Sequence, residues 1–254
     1  MLAHVASTRW EPYRAILLAA LGGAIVLALA SLVVWQASPY GRYLHHEGGG
    51  PAPLPVEAAL FAAGWALMVL AMMLPSSVPL VATFAALVRR RPRPALLVGL
   101  VVAGYVTVWT TFGLLAWLLD RLVHAAVDAI PFLQTYPQLI IGATLLTAGL
   151  YQFTGLKYRC LDECRSPLGF VLNRWAGQRP EREAIALGLA HGAFCVGCCW
   201  SLMLVMFGLG LGSLAWMLAF GSVMAIEKNA PWGRRIGRPL GFGLVFAALA
   251  AVSL

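Results

Sequence analysis

Apolar residues along this chain fall in runs of about 20, too long for the core elements of a soluble domain and matched to what a membrane helix needs. The runs cover residues 15–35, 58–88, 95–119, 138–156, 184–207, 211–226 and 239–254. They predict an all-α fold: one polytopic transmembrane helical bundle of six to seven spans, a single integral membrane domain over residues 1–254. The last run has 16 residues, short for a span, and is open to a shallow placement.

The ends of the runs refine this picture. Arg9 and Arg14 precede the first run as they would in a signal peptide. Its 21 apolar residues exceed the usual h-region, and no A-x-A site follows, so it reads as an uncleaved span. The second run has 31 residues and would make a helix of about 46 Å, too long for a ~30 Å hydrocarbon core unless bent or broken. Pro75 and Pro79 supply the expected break. A short amphipathic segment with Asp120, Arg121, His124 and Asp128 separates the third and fourth runs. Residues 157–183 read as a polar cytoplasmic loop, within which Ser166 caps and Pro167 opens a short interfacial helix with Phe170 and Trp175, stopped by Gly177. The fifth and sixth runs form a hairpin around a glycine-rich turn.

Composition narrows the class. With 61% hydrophobic and 11% charged residues, the chain is far from the roughly 25% charge of a soluble domain. A soluble globular enzyme, a disordered tail and a collagen-like chain are excluded. The net charge of +8 suggests nucleic acid until the positions are considered. With the N-terminus in the cytoplasm, 16 of the 18 Lys and Arg residues fall in cytoplasmic segments, leaving only Arg42 and Arg121 outside. The implied partner of the basic residues is therefore the lipid bilayer, not nucleic acid, and the implied location is the plasma (inner) membrane. No internal repeat of the inverted-repeat transporter kind is found.

The fifth run carries the sharpest chemical signal, His191-Gly-Ala-Phe-Cys195-Val-Gly-Cys198-Cys199. On a helix turning about 100° per residue, one imidazole and three thiols share an arc of about 100° over two turns. Met206 extends the same face. Any one of these residues alone reads as packing; four on one stripe, three of them cysteines, read as ligands for a soft metal. Thiolate and thioether donors select Cu(I) and zinc, and the methionines put copper first. Met68 and Met72 stand i, i+4 in the second run with Met73 beside them, while Met203, Met206, Met217 and Met224 decorate the fifth and sixth.

Weaker signals lie elsewhere. Cys160 and Cys164, also i, i+4, sit among Lys157, Arg159 and Arg165, with metal capture, thiol redox or simple packing as their options. His45-His46 in an external loop reads as plain surface or a metal entry point, and Glu227-Lys228 as an interfacial anchor pair. No phosphate-cradling loop or Ser/His/Asp arrangement is found.

Four strings then resemble one family: WALMVLAMMLP (65–75), YQFTGLKYRCLDECRSPLGF (151–170), HGAFCVGCCWSLM (191–203) and WMLAFGSVMAIEK (216–228). It is the family of predicted metal-binding integral membrane proteins, grouped as a domain of unknown function, some of whose members are described as membrane copper chaperones of tyrosinase-type polyphenol oxidases. The resemblance covers about residues 58–240. It implies copper handling, with a cuproenzyme or a copper-donor protein as partner. The matching positions are Met68, Met72, Met73, Cys160, Cys164, His191, Cys195, Cys198, Cys199 and Glu227.

Residues and resemblance together favour a copper-handling protein, a chaperone or transporter and not an enzyme, that binds Cu(I) within the bundle. It would pass the ion to a cuproenzyme or across the membrane. A membrane thiol-disulfide oxidoreductase is the enzymatic alternative, but it needs a cysteine pair on the oxidising side, and segments 36–57, 120–137 and 208–210 contain no cysteine. A haem carrier lacks facing histidines within spans. A transporter of another soft metal, or of a solute unrelated to metals, is the remaining alternative.

Overall fold

Proline opens α3, α4, α7 and α8, at the helix position where a missing N–H costs least. In the computed structural model, backbone is described for residues 2–38, 41, 53–209 and 214–253, and side chains for 14–38, 41, 53–206 and 215–253. The helices are α1 (Leu2–Gln36), α2 (Leu54–Val88), α3 (Pro94–Ala129), α4 (Pro131–Thr135), α5 (Gln138–Tyr151), α6 (Gly155–Arg165), α7 (Pro167–Leu172), α8 (Pro180–Leu209), α9 (Leu214–Asn229) and α10 (Gly237–Ser253). A 3-10 turn, Gly233–Ile236, precedes α10, and no strand occurs among the described residues.

Five segments are long and apolar enough to cross a membrane: Arg14–Gln36, Leu54–Val88, Pro94–Ala129, Pro180–Met206 and Gly233–Ser253. The pair α5 and α6, bent by 63°, makes a sixth if it counts as one span. The sixth apolar run of the sequence becomes α9, whose 16 residues fall short of that length. The last run gains the 3-10 turn at its start and reaches 21 residues, so it is no longer too short. Leu27 and Val34 of α1 and Phe242, Phe246 and Leu249 of α10 face outward. Such an apolar exterior is compatible with a lipid surround.

Two expectations need correction. The break at Pro75 and Pro79 is absent: α2 runs through both prolines as one helix of 35 residues. The carbonyls left without an N–H by the prolines are those of Ala71 and Pro75, one turn earlier, while side chains bond other carbonyls nearby. The Ser76 hydroxyl donates to Met73 O at 2.7 Å, the Thr83 hydroxyl to Pro79 O at 2.7 Å, and Asn229 of α9 donates to Ser76 O at 3.4 Å.

Residues 157–183 are likewise not a polar loop. Thr154 caps α6, its hydroxyl accepting the Lys157 N–H. Lys157, Cys160, Leu161 and Cys164, at helical spacing, then bury one face of α6, which packs on α8. Pro167 does open α7, but that helix ends at Leu172, ahead of Trp175 and Gly177, and Ser166 makes no capping bond. Its Phe170 and Val171 are buried, not interfacial. Gly177 takes a left-handed turn at φ 73° before α8. There Glu183 accepts the backbone N–H groups of residues 176–179. Of the hairpin turn expected at 208–210, residues 208 and 209 belong to α8 and residue 210 lies outside the described residues.

The α8 helix is the hub, packing on α3, α5, α6 and α9. Its closest neighbour is α3, through Gly188 and Gly192 on α8 and Gly104 on α3. A Cβ on Gly104 would lie 2.6 Å from Ile185 O, and one on Gly188 would overlap the Val101 carbonyl. Small residues four apart let two apolar helices meet backbone to backbone. That approach delivers Tyr105 of α3 to Cys195 of α8.

Two buried clusters result. One runs from Leu74 to Val88 of α2, with Leu97, Val98 and Val101 of α3 and Ala184 and Leu187 of α8. The other holds Phe61 to Met73 of α2, Tyr105 and Trp109 of α3, and α8 from Cys195 onward.

Candidate metal centre

All five cysteines are free and buried. They lie in the second cluster, with Met68, Met72, Met73, Met203, Met206, Met217 and Met224. Every methionine except Met1 therefore belongs to the same buried cluster as the five cysteines. The His191–Cys199 stripe and the Cys160/Cys164 pair, separate in the sequence, become neighbours. Cys160 and Cys164 share the buried face of α6, and that face packs on α8, the helix of Cys195, Cys198 and Cys199. Gly197 makes room: a Cβ there would lie 2.6 Å from Cys160 Sγ. Tyr151 of α5 donates its hydroxyl to the Gly197 carbonyl at the same place.

The thiols are neighbours without converging. Among the described residues no three His, Cys, Asp or Glu groups are gathered as a ready metal site. The reason is local, since Cys198 and Cys199 both donate to the Cys195 carbonyl, at 3.1 and 2.9 Å. A metal would have to draw these sulfurs from their own helix. Cu(I), which accepts soft thiolate and thioether donors, suits such a set better than zinc, whose structural sites are closed and tetrahedral.

His191 stands at one end of the stripe. Its Nε2 is 3.1 Å from Ser77 Oγ, and its ring stacks on Tyr105 at 5.3 Å and meets Phe170 edge-on at 5.6 Å. Its Nδ1 is buried with no hydrogen-bond partner among the described residues. A buried ring nitrogen left unpaired is costly, and a ligand would satisfy it.

Charged groups that the sequence assigns to the interface are inside. Glu227 and Lys228 are 2% and 5% exposed, so the anchor-pair expectation is overturned. Glu227 pairs with Lys157 at 2.6 Å, and Lys157 also donates to Gln152. Arg165 donates to the Glu227 carbonyl. Lys228 donates to Cys195 Sγ at 2.9 Å and to Ser76 Oγ at 3.1 Å. Sequence reasoning missed Lys228, Ser76, Ser77, Tyr105 and Lys157 as members of this region. The available signal was Ser76-Ser77 set between two prolines of an apolar run, where hydroxyls have no solvent reason to be. His45 and His46 lie outside the described residues.

The comparison with known families meets this geometry directly. The PpoB2 family, described as copper chaperone, matches residues 62–251, about three quarters of the chain. The chain belongs to the PpoB2 copper chaperone family. Its matched range takes in the Met68–Met73 group, Cys160 and Cys164, the His191–Cys199 stripe and Glu227. No curated protein and no solved structure matches the chain.

Proposed function

We propose that this copper chaperone family member is a multi-pass protein of the plasma (inner) membrane, with its N-terminus in the cytoplasm. It holds Cu(I) as cargo among sulfur ligands between α2, α6, α8 and α9. It then passes the ion to a cuproenzyme or across the membrane. The observation that carries the reading is the gathering of all the cysteines and every methionine but Met1 into one of two buried clusters.

Cys195, Cys198 and Cys199 supply thiol ligands, with His191 beside them. Met68, Met72 and Met73 supply thioethers from α2, and Met206 from α8 itself. Cys160 and Cys164, one helix away, are the exchange partners through which copper enters or leaves, because α6 packs on α8 with Cys160 against Gly197, the residue before Cys198. Glu227 serves the site indirectly, by neutralising Lys157 at its edge. Soft donors in an interior without water favour a monovalent soft ion and shield it from oxidation.

The test is metal content after anaerobic Cu(I) loading and desalting of the reduced, full-length protein. Wild type is expected to retain about one equivalent or more, and a His191/Cys195/Cys198/Cys199 alanine variant of unchanged helicity to lose it. Equal retention in both, or none in either, would return these residues to packing.

A further inference from the structure

Among the described residues, Lys228 is the charged side chain that hydrogen-bonds a thiol of the sulfur cluster. It comes from α9, touches Cys195 Sγ of α8 at 2.9 Å, and is steadied by Ser76 Oγ of α2 at 3.1 Å. Its chain neighbour Glu227 turns away to Lys157, and no described carboxylate lies within ion-pair distance of the Lys228 ammonium. The Tyr105 hydroxyl stands 3.0 Å from the same sulfur. Cys195 Sγ thus sits between an ammonium and a phenol, surroundings suited to negative charge on sulfur.

A buried lysine keeps its charge only where an anion lies beside it. The cargo proposed above supplies one. With two of Cys195, Cys198 and Cys199 as thiolates and the third a neutral thiol, a Cu(I) complex carries one net negative charge, which one ammonium cancels. A divalent ion on the same two thiolates is already neutral and leaves the ammonium unbalanced.

We infer that Lys228 is the built-in counter-cation of the site. Its fixed charge stabilises an anionic thiolate complex of a monovalent soft ion and selects against divalent ions on the same ligands. Lys228 is a positioning residue and not a ligand, and Ser76 holds it in place. The inference rests on the copper reading of the sulfur cluster and adds the charge type of the complex.

The experiment compares wild type with K228M, K228Q and K228R as reduced full-length proteins in detergent, each checked for helicity and monodispersity. Affinities for Cu(I), Ag(I) and Zn(II) are measured anaerobically by competition with a chromophoric chelator. K228M and K228Q are expected to weaken Cu(I) and Ag(I) by about tenfold or more, with K228R within about threefold of wild type. Zn(II) affinity is expected to be unchanged or improved in the neutral variants. K228Q keeps a hydrogen-bonding side chain and serves where K228M does not fold. Cu(I) binding at the wild-type level in the neutral variants would overturn the inference and leave the site standing. A parallel fall in Cu(I) and Zn(II) would also overturn it, since a packing role weakens both. Failure of wild type to take up Cu(I) would instead overturn the copper reading itself, and this inference with it.

Discussion

The two buried clusters share three long helices, to which α6 and α9 add sulfur in one and α7 adds Phe170 and Val171 in the other, and they differ in chemistry. The α2 helix passes from one to the other between Met73 and Leu74, α3 between Val101 and Tyr105, and α8 between Leu187 and Cys195. One cluster is hydrocarbon alone: Leu, Val, Ala and Phe. The other contains all five cysteines and seven methionines. Where the two meet lie Ser76, Ser77, His191 and Lys228, a polar layer across three helices. Sulfur used only as adaptable filler would serve both halves equally well. Its confinement to one half, next to Lys228 and an unpaired imidazole nitrogen, is what the proposed copper site asks for and packing alone does not.

Substitutions can break that comparison, and the largest effect is expected at the ion pair. Glu227→Leu strands the buried Lys157 ammonium and should cost about 4 kcal/mol in denaturant unfolding. The double variant K157M/E227L should recover most of it, because an apolar pair replaces the ionic one; an additive loss would refute the pairing. Phe84→Ala in the hydrocarbon cluster should cost about 3 kcal/mol through the cavity it leaves. Copper per folded molecule should nonetheless stay at the wild-type level, and a drop would dissolve the distinction between the halves.

Smaller effects sharpen it. Gly197→Ala drives a methyl group toward Cys160 Sγ and should cost about 1–2 kcal/mol while lowering Cu(I) retention, if α6 must touch α8 for the thiols to cooperate. Copper-binding assays beside unfolding curves separate the two losses. Ser77→Ala removes the His191 partner and is expected to cost about 1 kcal/mol. Met72→Leu conserves volume and should change stability by less than about 1.5 kcal/mol. Its effect should appear in Cu(I) affinity alone; an unchanged affinity removes Met72 from the ligand set.

Much of the bundle was legible because membrane-length apolar runs have few alternatives. Five of the seven runs reappear as candidate spans, a sixth only if α5 and α6 count as one. The errors came where polarity was equated with exposure. Residues 157–165 contain Lys, Arg, Asp and Glu, yet Lys157 and the two cysteines turn inward while Arg159 and Asp162 lie on other faces of α6. Glu227 and Lys228 end an apolar run, where an interfacial anchor is the ordinary reading. Only tertiary packing encloses them, Glu227 against α6 and the start of α10, and Lys228 against α2 and α8. The prolines of α2 signalled a break because sequence shows the lost N–H but not the packing of α1, α3 and α9 along the helix.

The sequence by itself determined the helical class, the membrane-length segments and the soft-donor stripe, because periodicity and side-chain chemistry are local properties. A His and three Cys within nine residues share a helical face whatever surrounds them. The tertiary structure decided which distant groups meet that face. It brought Cys160 and Cys164 to Gly197 and Cys198, the α2 methionines into the same cluster, and Lys228 to Cys195 across 33 positions of chain. Those meetings depend on close helix approach at Gly104, Gly188 and Gly197, which is a property of two surfaces at once and is written in neither alone.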